Sequence, residues 1–212
     1  MEPQEPSDFL DTALGGRRLV QHPFYRRWED GGVSKVELAL YAAQYRHFEA
    51  YLPEFLARLA AALPPGPARE LVTANLADEL GDPLAHVDLF DRFAAAVGAG
   101  PDAPSVAMTA LLGTYEELLA EAPAWALAGF AAYEAQSAEV AHLKADGLST
   151  HHGLDGHAVS FWHHHSRVDQ RHGEWALAAV PSGDPAVAGA GRRAAQAWWA
   201  FLDEREGLAP AA

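Results

Sequence analysis

The sequence predicts an all-α bundle of seven or eight helices, forming one domain over residues 1–212. Three observations predict it. The chain is 50% hydrophobic and dominated by Ala and Leu, both of which favour helix. Apolar residues recur at helical spacing in almost every segment, with no convincing alternating strand. The Pro- and Gly-rich breaks are short, and none is long enough to act as a linker between separate domains.

The elements follow in order. Residues 7–15 read as a short helix ended by Gly15-Gly16, and His22-Pro23 opens a second short piece to Glu29. Ser34-Lys35-Val36-Glu37 is a capping box, in which serine and glutamate each accept from the other's backbone amide. A long amphipathic helix follows, with a kink expected at Pro53 before it continues to Leu63. Pro64-Pro65-Gly66-Pro67 is a hard break. Residues 67–80 are helical, Gly81-Asp82-Pro83 interrupts, and helix resumes to Val97. Residues 98–104 form a loop, and helices are expected over 105–120 and 123–146. The segment 147–156 is polar and contains glycine, so a loop is expected there, with Asp155 capping a helix to about Val180. A turn over 181–185 precedes a last helix over 186–206.

Composition narrows the function. A formal net charge of −14 argues against binding a phosphate backbone, so no nucleic-acid partner is expected. The absence of cysteine removes disulfides, thiolate metal sites and cysteine nucleophiles. The acidic N-terminus lacks an apolar core, and no run approaches the ~18 apolar residues of a membrane span, so a cytoplasmic protein without membrane contact is expected.

The residues that point to chemistry are histidines and carboxylates. His165, Asp169 and His172 stand at i, i+4 and i+7, which places them on one face of a helix. Two imidazoles and a carboxylate suit a mid-row metal such as iron or manganese. A solvated polar face is the alternative, and His163 and His164 compete with His165 for the ligand position. Glu79 and His86 are seven residues apart across the Gly81-Asp82-Pro83 break. Glu134 sits among Phe130, Ala131, Ala132 and Tyr133, where an acid is costly unless paired or metal-bound. Glu139 is the alternative acid on that helix. Three carboxylates and three histidines suit two metals inside a bundle, although the paired Glu-x-x-His motifs of ferritin-like sites are absent.

Asn75-Leu76-Ala77-Asp78-Glu79-Leu80-Gly81 with His86, then Tyr133-Glu134, then His165-x3-Asp169-x2-His172, resembles the heme-oxygenase-like diiron oxidases from about His22 to Trp175. The resemblance implies a heme-oxygenase-like (TenA/PqqC-like) bundle, a homodimer, and six metal ligands: Glu79, His86, Glu134, His165, Asp169 and His172. It implies two ferrous ions or an iron–manganese pair, dioxygen as co-substrate and an external reductant. Within this family the chain is similar to the group of the Chlamydia protein associating with death domains, which acts in p-aminobenzoate synthesis. In that group a tyrosine of the protein supplies the aromatic ring and a lysine is implicated as amino donor. The matching positions are Tyr25 and Lys144, with Tyr41 and Tyr133 as nearby tyrosines; the chain has only two lysines, Lys35 and Lys144. The plainer readings are a core aromatic for Tyr25 and a helix C-terminal cation for Lys144. Other members of the family oxidise an external amino acid, fatty acid or guanidine. A metal-free binding protein of the same fold is a third reading.

Overall fold

The computed structural model describes residues 6–81, 84–181 and 183–207, without the side chains of residues 6, 7 and 168–170. Nine α-helices are described, the short pieces at the start included: α1 (Pro6–Leu14), α2 (Pro23–Glu29), α3 (Lys35–Ala62), α4 (Pro67–Leu80), α5 (His86–Val97), α6 (Val106–Glu121), α7 (Pro123–His152), α8 (Ser160–Ala179) and α9 (Pro185–Glu206). No strand occurs among the described residues, as the sequence predicts. None of these helices is long and apolar enough to cross a membrane.

Local signals set most of the boundaries. Ser34 and Glu37 form the expected capping box: the Ser34 hydroxyl accepts from the Glu37 amide at 3.3 Å, and the Glu37 carboxylate from the Ser34 amide at 2.8 Å. Ser105 caps α6 in the same manner, accepting from the Met108 amide. Proline opens α4, α7 and α9 in their first turns, where its missing N–H is not needed. Helix α4 ends at Leu80 and α5 begins at His86, on either side of the expected interruption; Asp82 and Pro83 lie outside the described residues.

Tertiary packing overrides a local signal in α7, whereas helix α3 continues through Pro53 as the sequence predicts. An interior proline costs roughly 3 kcal/mol, but Phe48, Leu52, Phe55, Leu56 and Leu59 on both sides of it are all buried in the same core. Helix α7 runs to His152, six residues beyond the expected end at 146. Gly147 explains the difference. A Cβ there would stand 2.7 Å from Trp28 Cδ1, so the glycine is where α2 presses onto α7 and is not a loop signal. Asp155 does not cap α8: it precedes a single 3₁₀ turn (Gly156–Ala158) and its side chain makes no capping bond.

Helix α7 is the centre of the bundle. It packs against α8 along much of its length and also against α9, α6, α2 and α3. Helix α4 meets α3 and α8, and α5 bridges α3 and α8. The first residues are tied to the last helix by His22 at the N-cap of α2. Its Nδ1 accepts from the Phe24 amide at 3.1 Å, and its Nε2–H donates to Asp203 of α9 at 3.0 Å. The neutral imidazole satisfies both partners at once.

Burial lowers the His22 pKa below 6.5, with Asp203 opposing but not overcoming the effect. As pH falls through 6.5 the unfolded chain takes up a proton that the folded His22 does not, so stability is lost on the acid side. The melting-temperature advantage of the wild type over His22→Gln should therefore shrink between pH 7.5 and 5.5, measured by thermal denaturation at both pH values. An advantage that grows on acidification would reverse the sign of this assignment.

Candidate metal centre

Four helices deliver the ionisable groups. Helix α4 brings Glu79 in its last turn, α5 begins with His86, α7 carries Glu134, and α8 carries His165 and His172. Glu79, His86, Glu134 and His172 are all buried. Helix α8 lies close enough to α7 to do this because it has glycine at 173: a Cβ there would meet Ala135 Cα at 3.0 Å and the Glu134 carbonyl at 3.1 Å.

Glu79, His86 and His165 offer ligand atoms that all lie within 4.8 Å of one another. His86 Nδ1 is 3.1 Å from a Glu79 oxygen. The distance suits a hydrogen bond, but the direction does not, and the buried Nδ1 makes none. Two donor atoms that approach without bonding each other have the arrangement of ligands aimed at a common cation. His165 Nδ1 donates to the Phe161 carbonyl at 2.9 Å, which leaves Nε2 as its lone-pair nitrogen. Burial, with His86 adding to it, holds His165 well below its ordinary pKa, so the imidazole is neutral and able to ligate.

Glu134 and His172 form the second half, with His172 Nδ1 3.6 Å from Glu134 and Nε2 2.7 Å from Asp78. Burial pushes the Glu134 carboxyl up. His172 favours its charge, while Glu79 of the first half disfavours it, so the two halves feel each other. Burial works against a charged His172, and Glu134 and Asp78 outweigh it, raising its pKa. Asp169 lies on α8 between His165 and His172, and its side chain falls outside the described residues. Glu139 is exposed and pairs with Arg18 at 3.0 Å, which removes it as an alternative to the buried Glu134.

The donor set is nitrogen and carboxylate oxygen without thiolate, in a buried pocket with an unused imidazole nitrogen, and it fits iron or manganese. Glu79, His86 and His165 would hold an ion there, and Glu134 and His172 lie buried beside them.

Beside this centre lies a second chamber. Lys144 is fully buried and donates to the Tyr41 hydroxyl at 2.6 Å, and Tyr41 is bonded to the Tyr25 hydroxyl at 2.9 Å. The Lys144 nitrogen lies 4.1 Å from the centre of the Trp162 ring and 4.6 to 4.9 Å from those of Tyr45, Tyr25 and Tyr41. Aromatic faces favour an ammonium, but removal from water is the larger effect and drives the Lys144 pKa well below its ordinary value, with Glu49 opposing. Tyr133 belongs to the next pair along: it is hydrogen-bonded to Tyr45 and stacks on Trp198 with ring centres 4.3 Å apart. A surface cleft of about 570 Å³ lined by Arg18, Glu29, Glu139, His142 and Asp146 lies on the outer side of α7 and contains none of these groups.

Two groups, Glu49 and Asp78, escape the sequence reading, and a third, His164, enters it only as a rival of His165. Glu49 is 3% exposed, and burial together with Glu79 pushes its carboxyl well up, Lys144 opposing. It therefore sits electrostatically between the two chambers. Its sequence signal is the i, i+4, i+8 spacing with Tyr41 and Tyr45 on α3. Asp78, the partner of His172, and His164, whose Nε2 lies 3.0 Å from His86 Nε2, are both surface residues whose partners come from other helices.

Comparison with known proteins agrees with this geometry. A family described as iron-containing redox enzyme matches residues 39–206. A 4-aminobenzoate synthase of Nitrosomonas europaea is 32% identical, over 92% of this chain and 88% of its own. That of Chlamydia muridarum is 30% identical over the same shares. Among solved structures, a TenA homolog from Pseudomonas syringae pv. tomato superposes with a TM-score of 0.81 at 16% identity, over 98% of this chain and 99% of its own. A CADD-like protein of unknown function from Nostoc punctiforme gives 0.74 at 22% identity, over 96% and 97%. A domain of unknown function with a heme oxygenase-like fold from Shewanella denitrificans gives 0.74 at 17% identity, over 95% of this chain and 89% of its own, and these neighbours establish that fold.

Replacing a ligand should cost at least the roughly tenfold in metal affinity typical of an outer partner. His86→Ala and Glu79→Gln are each expected to weaken cobalt(II) binding by that much or more in a chelator competition. Glu139→Gln should leave it unchanged. Equal losses in all three would remove the metal centre from this pocket.

Proposed function

The chain belongs to the heme-oxygenase-like family of iron-containing redox enzymes, and from that membership we propose that it is a diiron oxidase that forms 4-aminobenzoate from its own Tyr25, with Lys144 as amino donor. The observation that carries this reading is the buried contact chain from the Lys144 nitrogen to the Tyr41 hydroxyl and on to the Tyr25 hydroxyl. The names of the relatives from Nitrosomonas and Chlamydia support the product.

Glu79, His86 and His165 would hold one iron, and Glu134 and His172, with Asp169 as the family resemblance implies, would hold the other; two ferrous ions would supply, with dioxygen and an external reductant, the oxidising power that side chains lack. The protein's own groups do the rest. 4-Aminobenzoate differs from a tyrosine side chain by a nitrogen in place of the phenolic oxygen and a carboxylate in place of the benzylic CH₂. The amine must therefore be uncharged and must reach the phenol end of the ring. Burial supplies the first condition, since Lys144 loses its proton far more readily than in water. Tyr41 supplies the second, because its one hydroxyl binds both the Lys144 amine and the Tyr25 phenol. Burial also pushes the Tyr25 phenol up, so it stays protonated and its oxygen is not locked as an anion. Tyr25, Tyr41 and Lys144 are each at most 1% exposed, so bulk water does not compete for the ring.

The test is anaerobic loading with ferrous iron, exposure to oxygen with a reductant, and peptide mass spectrometry. The peptide containing Tyr25 is expected to lose its ring, and Tyr25→Phe and Lys144→Leu to abolish 4-aminobenzoate. An intact Tyr25 with oxygen consumed would sink the self-sacrificing reading and favour an external amino acid, fatty acid or guanidine. Absence of bound iron would sink the metal centre itself.

A further inference from the structure

We propose that His164 is a positioning residue for this metal centre: it accepts the Nε2–H of His86 and so turns the His86 Nδ1 lone pair into the pocket that Glu79 and His165 share. The inference rests on the metal-centre reading and adds to it a residue outside the six ligands.

His86 Nε2 and His164 Nε2 are 3.0 Å apart, and the two rings cross at 71° with centres 4.7 Å apart. Two neutral imidazole nitrogens at that distance share one proton, so one donates and the other accepts. If His164 donated, the His86 proton would have to sit on Nδ1. That nitrogen is buried and makes no hydrogen bond, although a Glu79 oxygen is 3.1 Å away. A proton there would be buried and misaligned with that oxygen, so no hydrogen bond would receive it. If His86 donates, Nδ1 carries a lone pair beside a carboxylate and a second imidazole, which is what a cation requires.

The same pattern holds at the neighbouring ligand. His165 gives its Nδ1–H to the Phe161 carbonyl and keeps Nε2 for the pocket. Both histidines therefore have an outer acceptor that fixes the tautomer, which is the usual support for a metal-bound imidazole. In His86 the acceptor is an imidazole from another helix. This ties α5, whose first residue is His86, to α8. His163 is exposed and serves as a neighbouring control. His164 is exposed as well, so replacing it does not open the core.

The test has two readouts. The first is the ¹⁵N chemical shift pattern of the His86 ring in metal-free protein, which reports which nitrogen is protonated. The wild type is expected to show the Nε2–H tautomer. The Nδ1–H tautomer in the wild type overturns the proposal. The second is cobalt(II) affinity by chelator competition. His164→Leu is expected to lose roughly 10- to 100-fold, His164→Gln to recover most of it through an amide oxygen that can accept, and His163→Leu to match the wild type. A His164→Leu affinity within about threefold of the wild type overturns the positioning role. Equal loss in the Leu and Gln variants assigns His164 to coordination and also overturns it. A wild type that binds no cobalt(II) and no ferrous iron removes the metal-centre reading, a result separate from either of these.

Discussion

The structure turns on ionisable groups placed where water cannot reach them. Glu49, Glu79, His86, Glu134, Lys144 and His172 are all buried in a bundle otherwise filled by aromatic and aliphatic side chains. An isolated ion in such surroundings is far more costly than a single lost hydrogen bond, so each group must be paired, neutralised or bound to a cation. The fold uses all three solutions. His172 is paired with Glu134 and Asp78. Burial drives the Lys144 pKa well below its ordinary value, which favours the neutral amine. Glu79, His86 and His165 leave donor atoms facing one another, which only a cation satisfies well.

Helix α7 arranges these solutions in space. Glu134 and Lys144 are ten residues apart on it, a rise of about 15 Å, so the buried carboxylate and the buried amine share one rigid element without touching. Aromatic residues fill the interval. Tyr45 and Tyr133 are hydrogen-bonded, Tyr133 stacks on Trp198, and Trp162 covers the Lys144 nitrogen. Among the described residues Glu49 is the acid whose field reaches both sides, acting on Lys144 and responding to Glu79 and Glu134. Its position one turn before Pro53 matters as well, because the proline cannot donate to the Glu49 carbonyl.

Much of this was legible in the sequence where the governing interactions are local. The His165 and His172 spacing lies within one helix, the Ser34 and Glu37 cap within four residues, and both are found as expected. Glu134 could be preferred over Glu139 from its apolar neighbours, and the structure agrees. What was not legible depends on which helices meet. Gly147 reads as a helix end in isolation, and only its contact with Trp28 shows that α7 continues. That one boundary changes the meaning of Lys144. Near a C-terminus it is an ordinary cation complementing the dipole, whereas eight residues before the end of α7, at His152, it is a buried amine. Glu49 and Asp78 are missed, and His164 is read only as a rival ligand, for the same reason, since nothing within their own helices marks their partners.

The separation of the two chambers has a chemical consequence. A neutral amine is a good ligand for iron as well as a good nucleophile, and a lysine able to reach Glu79 or His165 would compete for the metal. The ring of Trp162 and the Tyr41 hydroxyl hold the Lys144 nitrogen at the far side of the aromatic layer, where its first neighbour is a phenol and not a carboxylate. The same layer keeps the Tyr25 ring away from the carboxylates while leaving Tyr133, the residue before Glu134, in contact with Tyr45, which in turn stacks on Tyr41. A continuous aromatic path thus links the helix that carries Glu134 to Tyr25, and the polar ends of that path are separated by packed rings. On the proposed reading, an oxidising centre and a nucleophilic amine coexist in one small bundle because close packing, more than distance, keeps them apart.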